Sequence, residues 1–243
     1  MEPYVFRPTG ALGNNLLQLT SMQPECTMLH DAFYDYELAN CMTVKGFQRV
    51  SFEGRTPEAP IYINAHTIHH VHPKIRDIIE PTPFMKRMIE EARPILGGVS
   101  CGLSIRRGSY CDDSTQFRDE RNNERAYYFC DDRGLEKFRD IIRRAPGNVF
   151  VSSDSASTMK ALQKEFGTKI RTLDTDTFVI GMPQDGGESK TPSEYHSIYL
   201  RFFILSECPH LFLTGGTTDL VGFSTYAYMA AIYGARPFDV VFN

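Results

Sequence analysis

Two adjacent arginines and a glycine, Arg106-Arg107-Gly108, follow the apolar run 99–105. A guanidinium presents a planar fork of donors that matches phosphate oxygens, and Gly108 lets a backbone come close to a ligand. The same arginines could instead pair with Asp112, Asp113, Asp119 and Glu120 on a solvated face. A second stretch, Ser152-Ser153-Asp154-Ser155, closes another apolar run. It reads either as a helix cap, for which Ser and Asp are favoured, or as a strand end where Asp154 accepts from a base or ribose. A third, Gly215-Gly216-Thr217-Thr218 and then Gly222-Phe223-Ser224-Thr225-Tyr226, leads into the small-residue run 227–233. Backbone N–H groups at that helix start, with the hydroxyls of Ser224 and Thr225, could cradle a phosphate; a simple capped turn is the alternative. No G-K-[ST] follows, so ATP hydrolysis of the P-loop kind is unsupported. The fourth stretch, GALGNNLLQ at 10–18, is a glycine-bearing turn entering an apolar helix and lacks the G-x-G-x-x-G dinucleotide spacing.

Other chemistry is disfavoured. His66, His69, His70 and His72 cluster, but Pro73 and β-branched neighbours oppose a regular helix, and no H-E-x-x-H carboxylate accompanies them. No metal site is expected. No G-x-S-x-G nucleophile elbow is present. The six cysteines, Cys26, Cys41, Cys101, Cys111, Cys130 and Cys208, form no C-x-x-C pair and are expected to be reduced and mostly buried. A formal charge of -4 gives no basic excess for nucleic acid. The start of the sequence has neither a basic leader nor a long apolar run, and no stretch approaches a membrane span. The expectation is a cytoplasmic protein.

The elements that must position these residues follow from periodicity. At 243 residues, with 42% apolar and 23% charged side chains, the chain has enough apolar surface for a sizeable core. A helix is predicted over 82–92, ended by Pro94 and Gly97-Gly98. Beyond a boundary near 93–98 come a strand at 99–105, a helix at 135–144, a strand at 148–152, and a helix at 158–166. A helix at 198–208, a strand at 210–214 and a helix at 224–233 complete the pattern. Alternation of this kind implies parallel βαβ units whose ligands bind at the carboxyl ends of the strands.

Taken in order, the four stretches resemble the motifs of the fucosyltransferase superfamily, which includes α-1,2-fucosyltransferases and, more distantly, α-1,6- and protein O-fucosyltransferases. GALGNNLLQL is similar to that family's amino-terminal turn, LSIRRGSY at 103–110 to its H-x-R-R-G-D-Y stretch, AYYF at 126–129 to the Tyr-Tyr that follows, and FVSSDS at 150–155 to its F-x-F-S-D-D. The match over 202–234, FFILSECPHLFLTGGTTDLVGFSTYAYMAAIYG, is the most specific. Departures are Ser104 and Ser109 where the family has His and Asp, and Arg201 at a commonly acidic position.

The resemblance implies an α/β fold of GT-B type: two Rossmann-like lobes, a shortened acceptor-side lobe at 1–96 and a nucleotide-sugar-binding lobe at 97–243. It implies an inverting transfer of a sugar, L-fucose from GDP-fucose, to a glycan hydroxyl, with no metal or other cofactor. By the same resemblance Arg106 and Arg107 hold the diphosphate, and Ser224, Thr225 and the Tyr226 backbone contact phosphates. Ser153 and Asp154 lie near the guanosine, and Gly13 and Asn14 line the donor cleft. Neither substituted serine is a good base at neutral pH. Either little base help is needed, or an acid of the following loop, Asp112, Asp113, Glu120 or Glu124, supplies it. Alternatives are another donor on the same scaffold, such as GDP-rhamnose or a UDP-sugar, an inactive nucleotide- or glycan-binding module, and a glycosidase, which would need two carboxylates flanking a bond.

Overall fold

The computed structural model describes residues 4–6, 12–21, 27–30, 41–50, 75–107, 129–173, 192–216 and 223–243, and the elements are numbered within them. In the first half, β1 (Tyr4–Phe6), β2 (Thr27–His30) and β4 (Gln48–Val50) lie parallel in the order β1-β2-β4, with α1 (Leu12–Ser21) between β1 and β2 in the chain. A separate antiparallel pair joins β3 (Met42–Val44) to β5 (Ile79–Pro81), which follows the short α2 (Ile75–Ile78). Helix α3 (Pro83–Ala92) starts where the sequence predicts. The Thr82 hydroxyl accepts from the Met85 N–H at 3.2 Å, and Pro83 sits at a first-turn position whose N–H would have no helical partner.

The second half alternates strand and helix: β6 (Val99–Ile105), α4 (Asp132–Arg144), β7 (Asn148–Ser153), α5 (Ala156–Phe166), β8 (Ile170–Arg171), α6 (Pro192–Glu207), β9 (Leu211–Gly216), α7 (Thr225–Gly234) and β10 (Phe238–Phe242). All five strands are parallel, in the order β10-β9-β6-β7-β8. The chain starts at the centre of the sheet, builds outward through β7 and β8, then returns to build the other side. This is the doubly wound α/β arrangement, and it opens a crevice where β6 and β9 diverge.

Because parallel strands are covered on both faces, they read as nearly continuous apolar runs. Alternate side chains then feed two layers. Cys101, Leu103, Ile105, Val149 and Val151 pack with Leu135, Phe138 and Ile142 of α4 and Met159 and Leu162 of α5. Each fully buried large side chain of this kind contributes roughly 1.5–3 kcal/mol. On the other face Phe150, Leu211 and Leu213 pack with Phe202, Ile204 and Leu205 of α6 and Met229 of α7. Gly102 permits the approach of α6, since a Cβ there would lie 2.8 Å from the Cys208 sulfur. This second layer continues into α1 through Leu12, Leu16, Leu17 and Leu19, and into Met85 and Ile89 of α3. It therefore crosses the connector at Arg93–Leu96, where the sequence suggested a lobe boundary.

Three helices begin earlier than their apolar periodicity indicates. Helix α4 starts at Asp132 because the Asp131 carboxylate caps it, accepting from the Gly134 N–H at 2.9 Å. Helix α5 starts at Ala156 because Ser155 caps it through the Thr158 N–H at 3.1 Å. Helix α6 starts at Pro192, through polar first turns that carry little apolar periodicity. Strands β8 and β10 were not expected from the sequence.

Candidate functional site at the strand divergence

At the carboxyl ends of β6 and β9 one threonine links the two strands. Pairing along this edge runs through Ser104 opposite Leu213. Thr214 is next, wholly buried; its hydroxyl donates to the Ser104 carbonyl at 2.9 Å and accepts from the Arg106 N–H at 3.0 Å. Its own carbonyl accepts from the Ser224 N–H at 2.9 Å, tying the start of α7 to the end of β9. The amino terminus of α7 thereby opens onto the place where the two arginines leave β6.

Those arginines diverge. Arg106 is half-buried, its guanidinium lying over the Phe129 ring at 5.3 Å from the centroid, while its carbonyl accepts from the Cys130 N–H at 2.7 Å. Arg107 is only 6% exposed. Its side chain turns into the protein, donating from Nη1 to the Cys130 carbonyl at 2.9 Å and from Nη2 to Asp132 Oδ1 at 2.7 Å. Its backbone N–H donates to Asp154 Oδ1 at 2.7 Å. Asp154 is thus not the helix cap that its position after β7 allowed; Ser155 is, and Asp154 ties the ends of β6 and β7 together. The buried Ser153 hydroxyl accepts from the Ser155 N–H at 3.2 Å.

Ser224 occupies the cap position of α7 and is 5% exposed, but its side chain makes no capping bond. Orphan N–H groups at a helix start carry a partial positive charge and favour an anion. Gly13 meets this same helix start: a Cβ there would lie 2.2 Å from the Tyr226 nitrogen. Asn14 Oδ1 accepts from the Thr225 hydroxyl at 2.7 Å. The amino-terminal motif is therefore brought to the third motif by direct contact between α1 and α7. The Tyr226 hydroxyl donates to the Ile198 carbonyl at 2.7 Å, and burial raises its pKa well above the ordinary phenol value. Arg201, buried in α6, has its pKa lowered by desolvation, with the Tyr226 phenol opposing that shift.

Of the expected site residues, Gly13, Asn14, Arg106, Arg107, Ser153, Asp154, Ser224, Thr225 and Tyr226 fall at or beside the carboxyl edge of the large sheet or the start of α7. Asp112 and Asp113, with Gly108, Ser109, Glu120, Glu124, Tyr127 and Tyr128, lie outside the described residues, as do the four clustered histidines. Among the described residues, no group of three or more His, Cys, Asp or Glu side chains could hold a metal ion. Four residues that the sequence reading left out help to build the site. Thr214 links the ends of β6 and β9, and Phe129 supports Arg106. Asp132 holds Arg107, and Asn243 donates to the Phe129 carbonyl at 3.1 Å and accepts from the Asp131 N–H at 3.0 Å. A polar residue ending the apolar run 211–213 and the Asp-Asp pair before a helix were readable signals for Thr214 and Asp132.

No protein-family model and no curated protein sequence matches the chain. Solved structures do. The α-1,6-fucosyltransferase NodZ co-crystallised with GDP is 13% identical, matched over 95% of this chain and 92% of that one, with a TM-score of 0.53. NodZ soaked with GDP-fucose is 13% identical over 96% and 93%, also at 0.53. Fucosyltransferase NodZ from Bradyrhizobium is 13% identical over 95% and 92%, again at 0.53. At this identity the likeness is one of fold. The chain has a GT-B-like α/β fold, and the fucosyltransferase NodZ is similar to it along nearly the whole of both chains.

Proposed function

We propose that the chain is a glycosyltransferase that moves fucose from GDP-fucose to a carbohydrate hydroxyl, with inversion and without a metal ion. The observation that carries this reading is the strand divergence, where half-buried Arg106, the carboxylate of Asp154 and the uncapped start of α7 converge within a fold shared with NodZ, which has been crystallised with GDP and GDP-fucose. Departure of GDP leaves negative charge on the β-phosphate. In this reading the Arg106 guanidinium and the N–H groups at Thr225 and Tyr226 stabilise that charge, with the Ser224 and Thr225 hydroxyls beside them. Arg107 acts as a positioning residue, since its fork is taken up by the Cys130 carbonyl and Asp132. Asp154 and Ser153 would lie near the guanosine, Gly13 and Asn14 would fix the helix start against which the donor lies, and Asp112 or Asp113 would take the acceptor proton. The partners are a GDP-sugar and a glycan. A reducing, cytoplasmic setting belongs to the same reading, and the buried thiols of Cys101, Cys130 and Cys208, which form no disulfide, support it.

Calorimetric titration with GDP, UDP and GDP-fucose in a chelator, followed by an assay for released GDP, tests this. GDP and GDP-fucose should bind, UDP should not, and turnover should survive chelation. A preference for UDP would reassign the donor, and turnover lost to the chelator would remove the metal-free step. No nucleotide binding at all would sink the reading.

A further inference from the structure

The carboxyl ends of α6 and α7 lead into the starts of β9 and β10, so they lie at the edge of the sheet opposite the strand divergence. There they meet α3 across a cleft of about 270 Å³. Four cationic side chains line it, Arg76, Lys86, Arg93 and Arg236, against two carboxylates, Glu90 and Glu207. This is a local reversal in a chain whose formal charge is -4.

Helix ends explain part of the cationic lining, because the last carbonyls of a helix lack internal partners and favour cations. Arg76 Nε donates to the Tyr233 carbonyl, and Arg236 Nε to the Ser206 carbonyl at 3.3 Å. Arg93 spends Nε and Nη2 on Glu207, at 2.9 and 2.8 Å. Arg76 and Arg236 hydrogen-bond through Nε, and the Arg76 guanidinium also lies over the Tyr233 ring at 5.9 Å from its centroid, which leaves their terminal nitrogens as donors. The Lys86 ammonium is in no salt bridge among the described residues, although, after Lys45, it helps to lower the pKa of the Glu80 carboxyl. Capping the two helix ends therefore leaves an excess of positive charge and several donors facing one cleft.

We infer that this cleft binds a phosphoryl group, either as free phosphate or as a sugar phosphate, held by Lys86 and the terminal nitrogens of Arg76 and Arg236. The four cations against two carboxylates keep a positive excess even after the two helix carboxyl ends, at about half a negative charge each, are counted, and guanidinium with ammonium is a donor set suited to phosphate oxygens. At about 270 Å³ the cleft approaches the roughly 300 Å³ at which small-molecule pockets begin. The half-buried Tyr233 ring gives the remaining space an apolar wall.

The test is calorimetric titration of the whole protein with inorganic phosphate and with glucose 1-phosphate, at fixed ionic strength against chloride, with and without saturating GDP. Saturable binding that persists beside GDP, is retained by Lys86→Arg and is weakened at least about tenfold by Lys86→Glu is the expected result. GDP affinity should be the same in all three proteins, and the tighter of the two probes identifies the source of the phosphoryl group. Absence of saturable heat from both probes, binding indifferent to Lys86→Glu, or displacement by GDP would overturn the inference. Should the chain bind no GDP, the Lys86 variants still decide the matter, so failure of the donor reading is distinguishable from failure of this one.

Discussion

Arg106 and Arg107 stand side by side in sequence and divide the work of one strand end between them. Arg106 rests on Phe129 and stays half-buried, whereas Arg107 turns inward to a carbonyl and a carboxylate. Their alanine variants should therefore fail differently. Arg106→Ala is expected to keep its unfolding midpoint and lose about 10²–10³ in turnover, the range for removing one charge-stabilising donor. Arg107→Ala is expected to lose stability by roughly 1–3 kcal/mol, since the buried Cys130 carbonyl loses its donor, whereas the exposed Asp132 carboxylate can turn to water. Paired urea melts and turnover assays separate the two; equal melting loss in both would refute this division. Cys130 offers a pH test at the same scale. Burial raises its thiol pKa from 9.0 to about 12. Below pH 9 both folded and unfolded thiols are protonated and nothing is lost; above it the unfolded thiol ionises first, so stability falls as pH rises from 9 towards 12. The loss approaches about 1.4 kcal/mol per pH unit for one such thiol. Urea melts from pH 8.5 to 10.5 should show a shallower decline in Cys130→Ala than in the parent.

At the scale of elements, what the sequence revealed and what it hid have different physical origins. The strands of the large sheet stood out where their apolar runs were long, as at 99–105 and 148–152, because burial on both faces leaves a continuous signal. The edge strands did not. Ile170–Arg171 has only two residues, and Phe238–Phe242 is paired on one side alone. Helix starts were missed where a cap preceded the apolar stripe, as at Asp131 and Ser155. The strands of the first half, three or four residues each, pair only with partners distant in sequence and gave no periodicity to read. The motif residues could be named from their order, but their roles could not. Nothing local shows that Asp154 would be met by a backbone N–H 47 residues away. Gly13 is the clearest example. The sequence presents it as part of a glycine turn, and the structure uses it as a helix contact without room for a methyl group. Gly13→Ala should cost roughly 1–3 kcal/mol through overpacking, measurable as a lowered urea midpoint with unchanged slope. An unchanged midpoint would mean that α1 and α7 can separate freely.

At the scale of the molecule, the apolar layer shared by α1, α3, α6 and α7 couples the candidate site to the stability of the whole chain. A ligand that binds only the folded protein stabilises it, by about 2.7 kcal/mol at one hundred times its dissociation constant. GDP should therefore raise the melting temperature of the parent in a concentration-dependent way, and UDP at the same concentrations should leave it where it is. Equal shifts from both would point to unspecific anion binding. No helix among the described residues is long and apolar enough to cross a membrane.

The contact of α1 with α7 also sets a schedule for biosynthesis. Asn14 and its partner Thr225 are separated by 211 positions, so at about 5–20 residues per second the ribosome delivers the second roughly 10–40 s after the first. For that interval Leu12, Leu16, Leu17 and Leu19 have no α7 to cover them. Until then the apolar side chains of this segment lack part of their native cover, and its packing on α7 can form only once residue 225 has been made.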